Sequence, residues 1–240
     1  MSLKIGLNLT NNYSINFSLP KRNKKLIKFI IIHYTGMKKE SDAIQKLCDQ
    51  KSKVSSHYFI KNDGEILNLV PDLFEAWHAG KSRWGKYNML NKYSIGIEIQ
   101  NPGHDFGYKN FNKKQISSLK KLLNYLIKKF QINKKNILGH SDIAPDRKKD
   151  PGEKFPWKDL AKNDLTCWHN LNKKIIKKFR KENISSKDEN IFIKNLYKFG
   201  YSKHYKKHIV KAFQRKFRQD LIDGKIDKEC FIISKNLLKQ

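Results

Sequence analysis

Two histidines, His33 and His140, each close a short apolar run, and Asp150 follows the second of them by ten residues. Two imidazoles and a carboxylate form a donor set that suits zinc, and three protein ligands leave the fourth position open, as catalytic zinc requires. A strand-end histidine is as readily a satisfied structural residue, so the spacing alone leaves both readings open. A third feature is a carboxylate within a strand. In Ser94-Ile-Gly-Ile-Glu-Ile-Gln100 the isoleucines Ile95, Ile97 and Ile99 alternate with Gly96, Glu98 and Gln100, which places Glu98 on the face opposite the isoleucines. A solvated strand face would read the same way.

These residues need elements to position them. Phe29-Ile-Ile-Ile-His33 is a continuous β-branched run ending in Tyr34-Thr35-Gly36, as a buried central strand ends in a turn. Ser41 or Asp42 can cap a helix carrying Ala43, Ile44 and Leu47. Ser56 to Ile60 and Ile66 to Val70 flank Asn62-Asp63-Gly64, a hairpin signal because glycine supplies the positive φ of the turn. Asn112 with Gln115 resembles a capping box ahead of Ile116, Leu119, Leu122, Leu123, Leu126, Ile127 and Phe130, which recur at helical spacing. Asn136 to Gly139 reads as a further strand, and Ser141 to Pro156 as an irregular loop. The segment before Asn23 lacks periodicity and reads as an arm over the domain. Interleaved strands and helices with one antiparallel hairpin predict an α/β fold, a mixed central β-sheet flanked by helices. Lys181 to Asn190 is the best linker candidate. Three short helices follow it: Ile191 to Phe199, Tyr205 to Arg218, and a segment after Asp227.

Composition narrows the class. Hydrophobic residues make up 38% of the 240 residues, enough apolar surface for a folded core. Lys and Arg total 51 against 22 Asp and Glu, a formal charge of +29 that should draw the chain toward polyanions. The lysines are spread along the chain and no aromatic platform accompanies them, so no specific nucleic acid is expected as a partner. No apolar run nears the ~20 residues that span a bilayer, so no transmembrane segment is expected. Met1 to Asn12 lacks the pattern of a secretory leader. As written, the chain reads as cytoplasmic, or as a protein of the periplasm or cell envelope if a leader was trimmed. Cys48, Cys167 and Cys230 are odd in number and widely spaced, which predicts reduced thiols rather than a disulfide framework.

Several blocks together resemble a known family. Ile31-Ile-His-Tyr-Thr-Gly36, Ser55-Ser-His-Tyr-Phe-Ile60, Ala76-Trp-His-Ala-Gly80, Ser94-Ile-Gly-Ile-Glu-Ile99, Asn101-Pro-Gly-His104 and Gly139-His-Ser-Asp-Ile-Ala-Pro-Asp-Arg-Lys-Lys-Asp-Pro-Gly152 are similar to blocks of the type 2 N-acetylmuramoyl-L-alanine amidases, in the family order. The resemblance spans about residues 29 to 160. It implies Zn2+ held by His33, His140 and Asp150, with Glu98 as the catalytic carboxylate and Lys148 as its basic partner. It implies a peptidoglycan or muropeptide substrate, cut between N-acetylmuramic or anhydro-N-acetylmuramic acid and L-alanine. Zinc would activate water against a poor electrophile, Glu98 would carry the proton, and Lys148 would steady the oxyanion. Members that use a tyrosine before the histidine of the Ser-His block have it where this chain has Ser56, so the carboxylate variant fits better. His57, His78 and His104 are expected to line the cleft or hold loops. His78 and Asn91 are taken as substrate-binding, and Trp77 and Trp84 as either substrate-facing or core.

Leu196-x-x-Phe-Gly-Tyr201, Ala212-Phe-Gln-Arg-x-Phe-Arg218 and Asp223-Gly224 with Asp227 resemble the three-helix peptidoglycan-binding module, although its threonine after the last Asp is absent. The expected organisation is an amidase domain over residues 1–180 and a small C-terminal three-helix domain over 187–240, acting as a monomer. Two rival readings are a non-catalytic recognition protein of the same fold, which would lack a metal ligand, and a basic nucleic-acid-binding protein.

Overall fold

The computed structural model describes residues 9–11 and 13–239. Ten strands run in chain order as β1 (Leu9–Asn11), β2 (Phe17–Ser18), β3 (Phe29–Tyr34), β4 (Tyr58–Ile60), β5 (Ile66–Asn68), β6 (Glu75–Ala76), β7 (Arg83–Trp84), β8 (Tyr87–Asn88), β9 (Ser94–Ile99) and β10 (Ile137–Gly139). Six form the main sheet in the order β1-β5-β4-β9-β3-β10, and β2 with β6 and β7 with β8 make two short ribbons. Only β4 and β5 pair antiparallel in the main sheet; every other neighbouring pair is parallel. This is the mixed sheet that the sequence predicts. The turn between β4 and β5 closes with the Lys61 amide donating to the Glu65 carbonyl at 2.9 Å, and Gly64 takes φ +90°. The opening segment is more than an arm. Leu9–Asn11 adds an edge strand to β5, and Phe17–Ser18 pairs with Glu75–Ala76.

Among the described residues eight α-helices surround the sheet: α1 (Glu40–Cys48), α2 (Lys113–Phe130), α3 (His140–Ile143), α4 (Trp157–Lys162), α5 (Lys173–Ile176), α6 (Ser186–Phe199), α7 (Ile209–Phe217) and α8 (Lys228–Leu237). Asn112 and Gln115 form the expected capping box on α2. Its buried stripe, Ile116, Leu119, Leu122, Leu123, Leu126 and Phe130, packs on Ile30, Ile32, Ile95, Ile97, Ile99 and Ile137. Each such side chain contributes about 1.5–3 kcal/mol when removed from water. Helix α1 begins at Glu40 without a side-chain cap, so neither Ser41 nor Asp42 caps it. The Glu40 carboxylate instead accepts the Asn62 amide at 2.6 Å, which ties the start of α1 to the hairpin turn.

The opposite face of the sheet is covered by the C-terminal helices. Phe29, Ile31 and Leu138 share one apolar cluster with Phe192, Leu196, Phe213 and Phe217. Helix α6 starts at Ser186, inside the expected linker, because the Ser185 hydroxyl accepts the Asp188 amide at 3.1 Å. Asp227 caps α8, and its other oxygen takes the Lys181 amide at 3.0 Å and the Arg218 guanidinium. The cysteines are free. Among the described residues no helix is long and apolar enough to cross a membrane.

Candidate active site

Parallel pairing of β3 with β10 sets Ile32 beside Gly139, so the next residue on each chain, His33 and His140, emerges at the same sheet end. His33 Nδ1 lies 3.0 Å from His140 Nδ1 and 3.0 Å from Asp150 Oδ2, and His140 Nδ1 lies 3.1 Å from that oxygen. Asp150 returns to the cluster because its carbonyl accepts the Ser141 amide at 2.9 Å. The loop passes so close to β10 that a β-carbon at Gly139 would meet Pro151 Cδ at 2.7 Å. All three ligand candidates are buried, and they are the group of described residues that could hold a metal ion.

The chemistry of the donor set tests whether a cation fits. His140 Nε2 faces the Ala79 carbonyl at 3.2 Å, and a carbonyl only accepts, so Nε2 is a donor there. That leaves His140 Nδ1 turned toward His33 Nδ1 and Asp150 Oδ2. Two imidazole nitrogens and a carboxylate oxygen gathered in this way are a donor set that fits zinc. Burial, then the neighbouring His140, lowers the His33 pKa to about 4, which keeps that ring neutral as a metal ligand must be. Burial opposes ionisation of Asp150, but His140 and His33 outweigh it and hold its pKa well below the ordinary carboxylate range.

Glu98 stands directly across from His33 in the β3–β9 register, with both side chains on the same face of the sheet. Its Oε2 is buried without a hydrogen-bond partner. Burial first, and the Asp150 carboxylate second, push its pKa well above the usual value, while Lys148 and Lys46 pull the other way. Lys148 and Glu98 line a cleft of about 470 Å³ together with the three ligand candidates, Lys46, Arg147 and Lys149. The rim carries His104, which bonds Tyr34 and pairs with Glu153 at 3.1 Å.

The other expected site residues take several places. His78 lines the same cleft and also backs the metal cluster, its Nδ1 3.0 Å from His33 Nε2. The Asn91 side-chain oxygen accepts the amides of His78 at 3.2 Å and Ala79 at 2.7 Å, so it faces the backbone of that segment rather than the cleft. His57 is buried and accepts the Gly96 amide at 3.0 Å. Trp77 lines the cleft, whereas Trp84 packs on Phe199 and Tyr201 in the core. Arg147 escaped the sequence reading; its guanidinium donates to the carbonyls of Ala79 at 2.6 Å and Lys81 at 2.8 Å. One more lysine or arginine in so basic a chain carries no pattern that would single it out.

Known proteins resemble this chain in sequence and fold. A family model described as N-acetylmuramoyl-L-alanine amidase matches residues 22–153. The N-acetylmuramoyl-L-alanine amidase AmiD of Escherichia coli is 32% identical over 232 residues, covering 89% of this chain and 83% of AmiD. The 1,6-anhydro-N-acetylmuramyl-L-alanine amidase AmpD of the same organism is 42% identical over 106 residues, 44% of this chain and 55% of AmpD. Among solved structures, AmiD with anhydro-N-acetylmuramic acid-L-Ala-D-gamma-Glu-L-Lys superposes with a TM-score of 0.78 at 30% identity, covering 92% of this chain and 91% of AmiD's. AmpDh3 of Pseudomonas aeruginosa in complex with an anhydromuramic pentapeptide gives 0.77 at 29% identity, with 92% and 94% covered. With the family model matching more than half its length and AmiD 32% identical over 89% of it, the chain belongs to the N-acetylmuramoyl-L-alanine amidase family.

Proposed function

We propose that this protein hydrolyses the amide bond between the lactyl group of N-acetylmuramic or anhydro-N-acetylmuramic acid and L-alanine, in the turnover of peptidoglycan or its muropeptides. The observation that carries the reading is the buried meeting of His33, His140 and Asp150 within 3.1 Å of one another, beside Glu98 on the adjacent strand. These three residues would hold Zn2+. When bound, the ion supplies Lewis acidity toward the scissile carbonyl and its attacking water.

The chain's own groups do the rest. Glu98 takes the proton of the attacking water and passes it to the leaving nitrogen, a shuttle favoured by a carboxyl whose pKa is raised. Lys148 brings a positive charge to the same cleft, where it stabilises the developing oxyanion. Lys46, Arg147 and Lys149 at the cleft suit an anionic substrate such as a carboxylate-bearing peptide stem. A recognition protein that does not cut would lack a ligand, and all three are present.

The test is mass analysis of muropeptides after incubation with the full chain, with chelator and with zinc restored. Release of free stem peptide only when zinc is present is the expected result. Intact muropeptide under every condition would overturn the reading. Running intact sacculi beside soluble anhydro-muropeptides would define the preferred substrate.

A further inference from the structure

The protons behind the metal cluster can be placed one at a time. The Ser94 hydroxyl donates its single proton to the Leu90 carbonyl at 2.6 Å, because a carbonyl offers none in return. The contact of Ser94 Oγ with His78 Nε2 at 3.1 Å therefore needs its proton on Nε2. Neutral His78 then has a bare Nδ1, which lies 3.0 Å from His33 Nε2, so that nitrogen must be the donor. Neutral His33 is left with its lone pair on Nδ1, the atom that faces His140 and Asp150. On the other ligand the Ala79 carbonyl imposes the same polarity on His140.

The two lines of bonds converge on a single segment. His78 supports His33 and Ala79 supports His140, and the Asn91 side-chain oxygen holds the amides of both. Gly96 leaves room for the His78 ring, since a β-carbon there would lie 2.4 Å from its Cγ. One face of β9 thus carries Ser94 to orient His78, Gly96 to admit it and Glu98 beside the metal cluster. The alternation of Ser94, Gly96 and Glu98 follows from these three tasks.

We propose that Ser94, His78 and Asn91 are positioning residues that set which nitrogen of His33 carries the proton and where the rings of both histidine ligands stand. The proposal rests on the metal-site reading above. It gives His78, which also lines the cleft, and Asn91 a part in supporting the ligands. Partners of this kind are worth roughly 10–100-fold in metal affinity.

Long-range proton–nitrogen NMR correlations on the metal-free full chain should show the neutral His33 ring protonated at Nε2. A ring protonated at Nδ1 would overturn the relay, and this measurement needs no variant. Zinc affinity, read by competition with a chromogenic chelator, should fall roughly 10–100-fold in Ser94→Ala and recover in Ser94→Thr, which keeps the hydroxyl. Asn91→Asp should bind zinc like the parent because its oxygen still accepts both amides, whereas Asn91→Leu should not. Parent-like zinc affinity in both Ser94→Ala and Asn91→Leu would overturn the proposal. Circular dichroism of each metal-free variant separates loss of ligand support from loss of fold. Absence of zinc binding by the parent itself would instead sink the metal-site reading, and the NMR result would still decide the relay.

Discussion

Helix α3 is one turn long and carries two buried polar clusters, built in opposite ways. On one side His140 meets His33 and Asp150, where three ligating atoms lie within 3.1 Å of one another. On the other side, two residues later, Asp142 is fully answered. Its Oδ1 accepts the Tyr201 hydroxyl at 2.8 Å, and its Oδ2 accepts the Gly139 amide at 2.8 Å and the Lys216 ammonium at 3.3 Å. Lys216 also donates to the Ile137 carbonyl at 2.9 Å and lies over the Trp157 ring. A buried cluster whose donors and acceptors answer one another is structure, and one that gathers three metal-ligating atoms is a candidate site. The two share a helix because the first needs the second to hold it still.

The largest effect should come from breaking the open cluster. Asp150→Ala should abolish zinc binding and hydrolysis, yet cost the metal-free protein less stability than a closed-cluster change, since the His33 and His140 rings keep their other contacts with His78 and Ala79. Metal analysis and a metal-free thermal melt check both halves. A melt lowered as far as that of a closed-cluster variant would erase the distinction between the clusters. Glu98→Gln should keep zinc and fold while losing activity by roughly 10²–10⁴-fold or more, the usual contribution of a general acid–base group. Cleavage near the parent rate would make the carboxylate a bystander.

Breaking the closed cluster should do the reverse. Lys216→Met leaves Asp142 buried without its cation, which should destabilise the fold by about 3–5 kcal/mol in denaturant titration. Whatever remains folded should still bind zinc. Tyr201→Phe removes a single hydrogen bond to the same carboxylate and should cost about 1.5–3 kcal/mol. The smallest effect is a shift in pH profile. Glu98 must be ionised to act as base, so rate is lost as pH falls through its raised pKa, and Lys148 holds that pKa down. Lys148→Ala should therefore move the acid limb of kcat/KM to higher pH, beyond its loss of rate. A limb that stays in place would detach Lys148 from Glu98.

Much of the sheet was legible because local signals agreed with tertiary demands. The β-branched run before His33, the glycine of the hairpin turn and the Asn112 capping box all state their structure within a few residues. His33 and His140 were legible as strand ends and Asp150 through its family block, and the register of β3 with β10 brings the two histidines together. Helix α3 was not legible. Its single turn lies where an irregular loop was expected, and Tyr201 and Lys216, distant in the chain, brace it. The start of α1 likewise depends on Asn62 across the hairpin, a partner no cap rule would supply. Ser185 was a readable cap, masked by the charged segment around it. A family block names residue types, so it placed His78 and Asn91 at the site without showing that His78 also meets the far nitrogen of His33 and that the Asn91 oxygen faces backbone amides.

Gly96 carries a consequence of another kind. Its codon is one base away from alanine, and that single extra carbon would lie 2.4 Å from the ring atom His78 must keep in place. Gly96→Ala should therefore displace the His78 ring proposed to back His33, at a position that needs no side chain of its own. Every residue that handles metal, proton or substrate would remain encoded. In a genome sampling such variants, an unbroken set of catalytic residues would therefore not certify a working copy.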